Sequence, residues 1–437
     1  MATAFSALGL SESVVKALDE LGFEQPTPIQ LKSIPFLLDG RDLLAQAQTG
    51  TGKTAAFGLP LVDRSDPQDA RVQALVLAPT RELAVQVCEA IHTYSKHSGV
   101  RVLPIYGGQP IDRQMRRLRA GAQIVVGTPG RVLDLMRRGS LDLSALRTLV
   151  LDEADQMLDM GFIEEVQTIL DAAPPERQLV FFSATLPASI RKLAARHLRT
   201  PMTLTMPAEE RDTPAIAQRV YFVNFKNRAQ ALTRVLAAED PASALIFTRT
   251  KQAADELAEQ LQDDGHRAEA LHGDLNQSAR EAVLGRFRRQ QLNVVVATDV
   301  AARGLDIADL SHVINYDMPQ DGESYIHRIG RTGRAGRTGV AISFALPTDR
   351  YRLRLIERAT GSTLVPAKIP SAGEIQVRRT ERLVEQLRRQ LQADESDPSL
   401  VLYREVVGQL REEFDLGDIA ATFLKLAQQR PGSTGSG

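Results

Sequence analysis

The chain has 437 residues, a formal net charge of −1, 43% hydrophobic residues and 24% charged ones. That length exceeds one usual core and implies two or three domains, and with a near-neutral balance a nucleic-acid partner does not follow from bulk charge, so any basic surface has to be local. The single cysteine, Cys88, excludes an intramolecular disulfide and a cysteine-built zinc site, and no stretch approaches membrane length.

Met1 does not open a signal or transit peptide, so the expectation is a cytoplasmic protein with no membrane partner. Arginine greatly outnumbers lysine, which suits planar contacts to phosphates or reflects genome composition.

The first segment, Phe5–Gln30, passes from helical spacing (Val14, Val15, Leu18, Leu21) to the turn-rich GFEQPTPIQ of Gly22–Gln30. Leu43–Leu44–Ala45 reads as a short strand, Ala47–Thr54 (AQTGTGKT) as a glycine-rich turn, and Ala55–Ala56–Phe57 as the start of a helix. That context suits a phosphate-binding loop. Gly50 and Gly52 let successive N–H groups point at one anion, and the helix N-terminus adds partial positive charge. Lys53 can reach β- and γ-phosphates, and the Thr54 hydroxyl can join a Mg²⁺ shell. Ala47 stands where the strict pattern has Gly, so an ordinary Gly/Thr turn stays open on this stretch alone. Cys88, inside the helical-looking Leu83–Ile91, reads as a small core residue.

Buried-strand signals recur at Ala74–Leu77, Ile124–Val126, Leu149–Leu151 and Leu179–Phe182, each followed by a turn and a helical pattern. This is the rhythm of βαβ units around a parallel sheet. It returns after Pro214: Ala244–Phe247 with Thr248–Arg249–Thr250 echoes Ala74–Leu77 with Ala78–Arg81, and Asn293–Val296 echoes Gln123–Val126. Two similar α/β units in tandem follow, with the linker in the polar MPAEERDTP of Met206–Pro214. Beyond about Pro366 three stretches carry apolar residues at helical spacing, Glu374–Gln392, Ser399–Phe414 and Asp418–Gln429, and form a small helical appendage that docks on the core or self-associates. The expected organisation is 1–207, a linker at 208–214, a second domain at 215–366, a helical region at 367–430 and a flexible tail at 431–437.

Leu149–Asp155, LVLDEAD, is an apolar strand ending in carboxylates. Asp152 is placed to hold Mg²⁺ against phosphates gripped by Lys53, and Glu153 to orient and deprotonate an attacking water.

AQTGTGKT followed by DEAD resembles the DEAD-box family of ATP-dependent RNA helicases within helicase superfamily 2. PTRELA at Pro79–Ala84, GG at Gly107–Gly108, TPGR at Thr128–Arg131, SAT at Ser183–Thr185, ARGLD at Ala302–Asp306 and HRIGRTGR at His327–Arg334 follow in family order. The resemblance spans roughly residues 1 to 360, and Ala47 is the family's usual variant. It implies two RecA-like parallel-sheet domains, ATP and Mg²⁺ as cofactors, and RNA as partner.

The resemblance also implies residue roles. Gln30, with Phe23 and Thr27, reads adenine, and Phe5 stacks on the base, although by itself Phe5 reads as a core or staple residue. Thr49, Gly50, Thr51, Gly52, Lys53 and Thr54 bind phosphates, with Thr54 and Asp152 on the metal, and Asp306 contacts the ribose. Arg331 and Arg334 are arginine fingers, and His327 links the second unit to the DEAD acids. RNA is tracked by Thr80, Arg81, Gly108, Thr128 and Arg131 on the first unit, and by Arg249, Arg280 and Thr298 on the second. These are phosphate-positioning groups that carry little base information. The helix beginning at Arg131 is the strand-bending wedge, and Ser183 and Thr185 couple cleft closure to RNA.

The expected activity is RNA-stimulated ATP hydrolysis with local unwinding of short duplexes. An ATP-gated RNA clamp within a larger complex and a DNA helicase are the alternatives. The segment 374–429 looks similar to the C-terminal dimerisation region of bacterial cold-shock and ribosome-assembly DEAD-box helicases. That implies a homodimer and ribosomal or RNA-decay complexes, with a helical cap on the second unit as the other reading.

Overall fold

The computed structural model describes residues 4–47, 50–205, 216–302, 310–333, 338–393 and 399–429. The expected linker at 208–214, the tail at 431–437, and Thr49, Asp306 and Arg334 lie outside the described residues.

Among the described residues fourteen strands form two seven-stranded sheets. The first holds β1 (Leu43–Gln46), β2 (Ala74–Leu77), β3 (Val102–Ile105), β4 (Ile124–Gly127), β5 (Thr148–Leu151), β6 (Gln178–Ser183) and β7 (Met202–Thr205). The second holds β8 (Ile216–Phe222), β9 (Ala244–Thr248), β10 (Ala268–Leu271), β11 (Val294–Thr298), β12 (His312–Asn315), β13 (Gly339–Ala345) and β14 (Val365–Ala367). Their orders, β3-β4-β2-β5-β6-β1-β7 and β10-β11-β9-β12-β13-β8-β14, are the same pattern, and every pairing within the sheets is parallel. The tandem repeat read from Ala74–Leu77 and Ala244–Phe247 is thus β2 repeated as β9.

Strands β2, β4, β5 and β6 are buried along their whole length, because crossover helices cover both faces of a parallel sheet. Val76, Val126, Val150 and Phe182 pack to one side with the phosphate-loop helix, whereas Leu75, Val125, Leu149 and Phe181 pack to the other. Strands β3 and β10 were not apparent in the sequence because partly exposed residues interrupt their apolar pattern. The second sheet runs through Ala367, so its last strand crosses the boundary expected at 366.

This topology sets β5, β6 and β1 side by side. The residues that leave their C-terminal ends (Asp152 and Glu153, Ser183 to Thr185, and the glycine-rich turn) therefore converge on one crevice. The neighbouring ends of β2 and β4 deliver Thr80–Arg81 and Thr128.

The three C-terminal helices are Ala372–Ala393, Ser399–Leu410 and Leu416–Gln429. The first lies on the helix Arg228–Glu239: Arg382 donates to the carbonyls of Ala237 and Ala238 at 3.0 and 3.2 Å and pairs with Asp240 at 3.0 Å. Arg378 reaches Glu239 at 3.2 Å. Further along, Tyr403, Val406, Phe414, Phe423 and Leu426 are exposed, while Ile419 is buried.

Candidate nucleotide and RNA site

The glycine-rich turn runs from β1 into the helix Lys53–Arg64. Gly52 caps that helix at φ 90°, a left-handed conformation that favours glycine. A Cβ there would lie 2.5 Å from Gln30 Nε2 and 2.9 Å from Thr27 Oγ1. Gln30 Nε2 donates to the Gly52 carbonyl at 3.1 Å, and Thr27 Oγ1 donates to the Thr51 carbonyl at 2.9 Å. The Gln30 Oε1 accepts from Thr27 N at 2.9 Å. Gln30 and Thr27 therefore grip the turn itself, and the Gln30 amide keeps one donor and one acceptor for a ligand.

Phe5 corrects one expectation. Its ring is fully buried, edge-on to Phe23 at 6.0 Å, and Phe23 meets Tyr94 at 6.3 Å. The ring offers no face to a base in this arrangement, because it is enclosed in the aromatic cluster.

Lys53, Asp152 and Glu153 are buried, with 6, 2 and 5% of their surface exposed. The Lys53 Nζ and the Glu153 Oε2 have no hydrogen-bond partner among the described residues. Orphaned buried groups of this kind are rare and point to a ligand. Burial raises the Asp152 carboxyl above the usual carboxylate range, and Lys53 opposes that rise. Glu153 adopts φ 51°, ψ 51°, a left-handed conformation that costs a non-glycine residue about 1–3 kcal/mol and tends to persist at functional sites.

The second domain meets this crevice through the helix Gly322–Ile329. Ser183 Oγ accepts from Asp155 N at 3.2 Å, and Thr185 N and Oγ1 donate to Asp155 Oδ2 at 2.8 and 2.9 Å. The Thr185 hydroxyl also bonds the Glu323 carboxylate across the cleft. His327 Nε2 lies 4.0 Å from Asp155 Oδ2. Arg331 is 6% exposed.

Arg328 is a buried anchor that sequence reasoning did not single out: it pairs with Asp299 at 2.6 and 2.7 Å and donates to Asn315 Oδ1 at 3.0 Å and the Asp317 carbonyl at 2.7 Å. Glu323, too, was missed, because an acid four residues before the HRIGR histidine carries no motif signature. Cys88 is buried and its thiol is pushed up to about 12 by burial, which leaves it neutral and inert, as expected of a core residue.

A second cleft of about 490 Å³ lies between the domains and is lined by Thr80, Arg81, Thr128 and Arg131 on one side and Arg280 on the other. Gly108, Arg249 and Thr298 are not among its lining residues. Gly108 nevertheless has a clear role. It sits at φ 83°, and any Cβ there would overlap the Arg81 guanidinium. Thr80 caps the helix Arg81–Tyr94 by accepting from Leu83 N at 3.2 Å. Arg131 donates to the Gln109 carbonyl at 3.3 and 3.4 Å. Arg81 reaches across the cleft to Gln277 Oε1 at 3.2 Å, and Arg280 to Glu82 at 2.7 Å. Arg280 also donates to the Ala301 carbonyl at 2.5 Å, so its guanidinium braces the two domains at the edge of the channel.

Two RecA-like sheets, a buried Lys–Asp–Glu crevice fed by a glycine-rich turn, and an arginine-lined channel between domains define a two-domain nucleoside-triphosphatase of the helicase type. The comparisons narrow that class. Residues 27–193 match the DEAD/DEAH box helicase domain, 227–336 the helicase conserved C-terminal domain, and 370–431 the RNA helicase DeaD dimerization domain. The chain is 47% identical over 437 residues to the ATP-dependent RNA helicase CshA of Listeria monocytogenes, covering 99% of this chain and 82% of that one. It is 49% identical over 427 residues to the RNA helicase CrhR of Synechocystis, covering 98% and 86%. Among solved structures, Saccharomyces cerevisiae Dbp5 bound to RNA and ADP BeF3 superposes with a TM-score of 0.77 at 36% identity, covering 87% of this chain and 99% of that one. The chain belongs to the DEAD-box family of ATP-dependent RNA helicases: it binds RNA, hydrolyses ATP in response to it, and unwinds it.

Proposed function

We propose that hydrolysis uses a composite site. Thr49, Gly50, Thr51, Gly52, Lys53 and Thr54 hold the phosphates, Gln30 with Phe23 and Thr27 selects adenine, and Asp306 takes the ribose. Glu153 accepts the proton of the attacking water, and Arg331 and Arg334 bring positive charge to the γ-phosphate from the second domain. The observation that carries this reading is the orphaned pair of Lys53 Nζ and Glu153 Oε2 beside buried Asp152. Thr54 and Asp152 would hold Mg²⁺, whose chemistry there is to neutralise charge on the phosphate oxygens. An arginine finger is worth about 10³–10⁵ in rate, so the first domain by itself would be nearly inert.

RNA would lie along Thr80, Arg81, Gly108, Thr128 and Arg131, facing Arg249, Arg280 and Thr298, with the helix Pro129–Arg137, which starts two residues before the expected Arg131, as the bending wedge. Both ligands favour the closed cleft, so each strengthens the other's binding. Ser183, Thr185 and His327 carry that coupling through Asp155. The test is Glu153→Gln: RNA-stimulated ATPase should vanish while RNA binding with a non-hydrolysable ATP analogue persists, and full activity would overturn the assignment.

The C-terminal helices are proposed to form a homodimer. The match of 370–431 to a dimerization domain and the exposed Val406, Phe423 and Leu426 support this. Sedimentation with and without the residues after Pro370 decides it, since a monomer in both cases removes the dimer. A cytoplasmic setting within ribosomal or RNA-decay complexes completes the proposal; among the described residues no helix is long and apolar enough to cross a membrane. Sequencing of RNA and identification of proteins that co-purify with the tagged chain would test that part.

A further inference from the structure

The helix Ile111–Arg119 (IDRQMRRLR) follows directly on the Gly107–Gly108–Gln109 segment at the channel edge. Ile111, Met115 and Leu118 pack on the core, and Gln114 is buried, donating to the Tyr106 carbonyl at 2.9 Å. That fixes the outward face, and Arg113, Arg116, Arg117 and Arg119 are all exposed on it. Among the described residues none of these four guanidiniums forms an ion pair or a hydrogen bond. Elsewhere in the same domain Arg71 and Arg138 are paired with acids at 2.7 and 2.8 Å.

Arg113, Arg116 and Arg117 stand three and four residues apart, a spacing at which like charges repel on a helix. Arg116, Arg117 and Arg119 in the last turn gain from the helix dipole, but Arg113 in the first turn does not. Against these four arginines the helix sets one acid, Asp112 in its first turn, which pairs with none of them among the described residues, so the helix carries an excess of positive charge that its own stability does not require.

The position of this charge matters as much as its sign. Gln109, two residues before the helix, accepts the Arg131 guanidinium of the channel and donates to the Tyr106 hydroxyl at 2.9 Å. Tyr106 lies within electrostatic reach of Arg113 and Arg117 on its own domain and of Glu281 across the cleft. The arginine face thus lies beside Tyr106 and Gln109, next to the Arg131 side of the RNA channel.

We infer that Arg113, Arg116, Arg117 and Arg119 form a second phosphate-binding surface, outside the channel, that grips the single-stranded RNA flanking the segment held between the domains. Its contacts are sequence-independent and add reach and affinity for long RNA. The channel sets what is unwound; this face retains the chain next to it.

The experiment compares the full chain with its Arg113→Gln/Arg116→Gln/Arg117→Gln/Arg119→Gln variant, both with a non-hydrolysable ATP analogue. The probes are oligouridines of about 6 and about 25 nucleotides, the short one within the span of a single binding groove. Affinity for the long strand should fall about tenfold or more at low salt. The slope of log affinity against log salt should lessen by up to about 2.8, four phosphates at about 0.7 each. Affinity for the short strand should be unchanged, which also shows that the variant is folded and closes. An unchanged salt slope with the long strand, or an equal loss with both strands, overturns the proposal; the first outcome would leave the face to an acidic protein or to solvent.

Discussion

The hydroxyl of Thr185, in the first domain, bonds the carboxylate of Glu323, in the second. The same hydroxyl lies 2.9 Å from Asp155 Oδ2, so one proton faces two carboxylate groups on opposite sides of the cleft. The bond exists only when the domains are together, and it reaches the acid that follows Glu153 by two residues. Thr185→Val and Glu323→Ala should each lower RNA-stimulated kcat about tenfold. In a double-mutant cycle the two should show a coupling of about 1 kcal/mol or more, as residues in direct contact do. Additive losses would mean that the contact does not operate in the active state.

Glu153→Gln tests the general base. Loss of a positioned base typically costs about 10²–10⁴ in rate. We expect a kcat loss of that size with the ATP KM little altered, read by steady-state phosphate release in saturating RNA.

The Glu82–Arg280 pair, at 2.7 Å, is shielded from solvent on both sides, with 15 and 13% side-chain exposure. Removing one member of a pair this buried costs about 3–5 kcal/mol, because the other is left charged and unpaired. Since the pair spans the domains, that cost should fall on closure rather than on folding. Glu82→Ala should weaken RNA binding in the presence of an ATP analogue and leave the melting temperature nearly unchanged. Fluorescence anisotropy and calorimetry provide the two measurements.

Glu239 seats the first C-terminal helix. His312, Arg219 and Arg378 lie 3.6, 2.9 and 3.2 Å from it. Chiefly through His312, its carboxyl is held down at about 2, below the usual value of 4.5. A depressed carboxyl contributes stability fully present above 4.5, lost as pH falls through about 2. Glu239→Gln should loosen the helix Ala372–Ala393 at neutral pH, seen as faster proteolysis after Arg378 and Arg382, while the parent chain becomes equally labile only in that acid window.

Far more of the catalytic half than of the coupling half was legible in residue order. AQTGTGKT and LVLDEAD each carry their chemistry within eight residues, because a phosphate loop or a strand-end acid is built from local backbone geometry. The repeat of β2 as β9 was legible for the same reason: a fully buried parallel strand must be an unbroken apolar run. Strands β3 and β10 broke that rule, since their faces are only partly covered.

What needed three dimensions was every relationship set by distance across the fold. The family resemblance placed Phe5 on the base, whereas packing against Phe23 puts it inside the core. Arg280, expected at the RNA, is also braced on Glu82, 198 positions away in the chain, a pairing that residue order does not announce. Glu323 carried no motif at all, and only the closed cleft brings it to Thr185. Local order dictates which groups can do chemistry; their protonation partners and their exposure depend on neighbours that the chain supplies only once both sheets have formed and met.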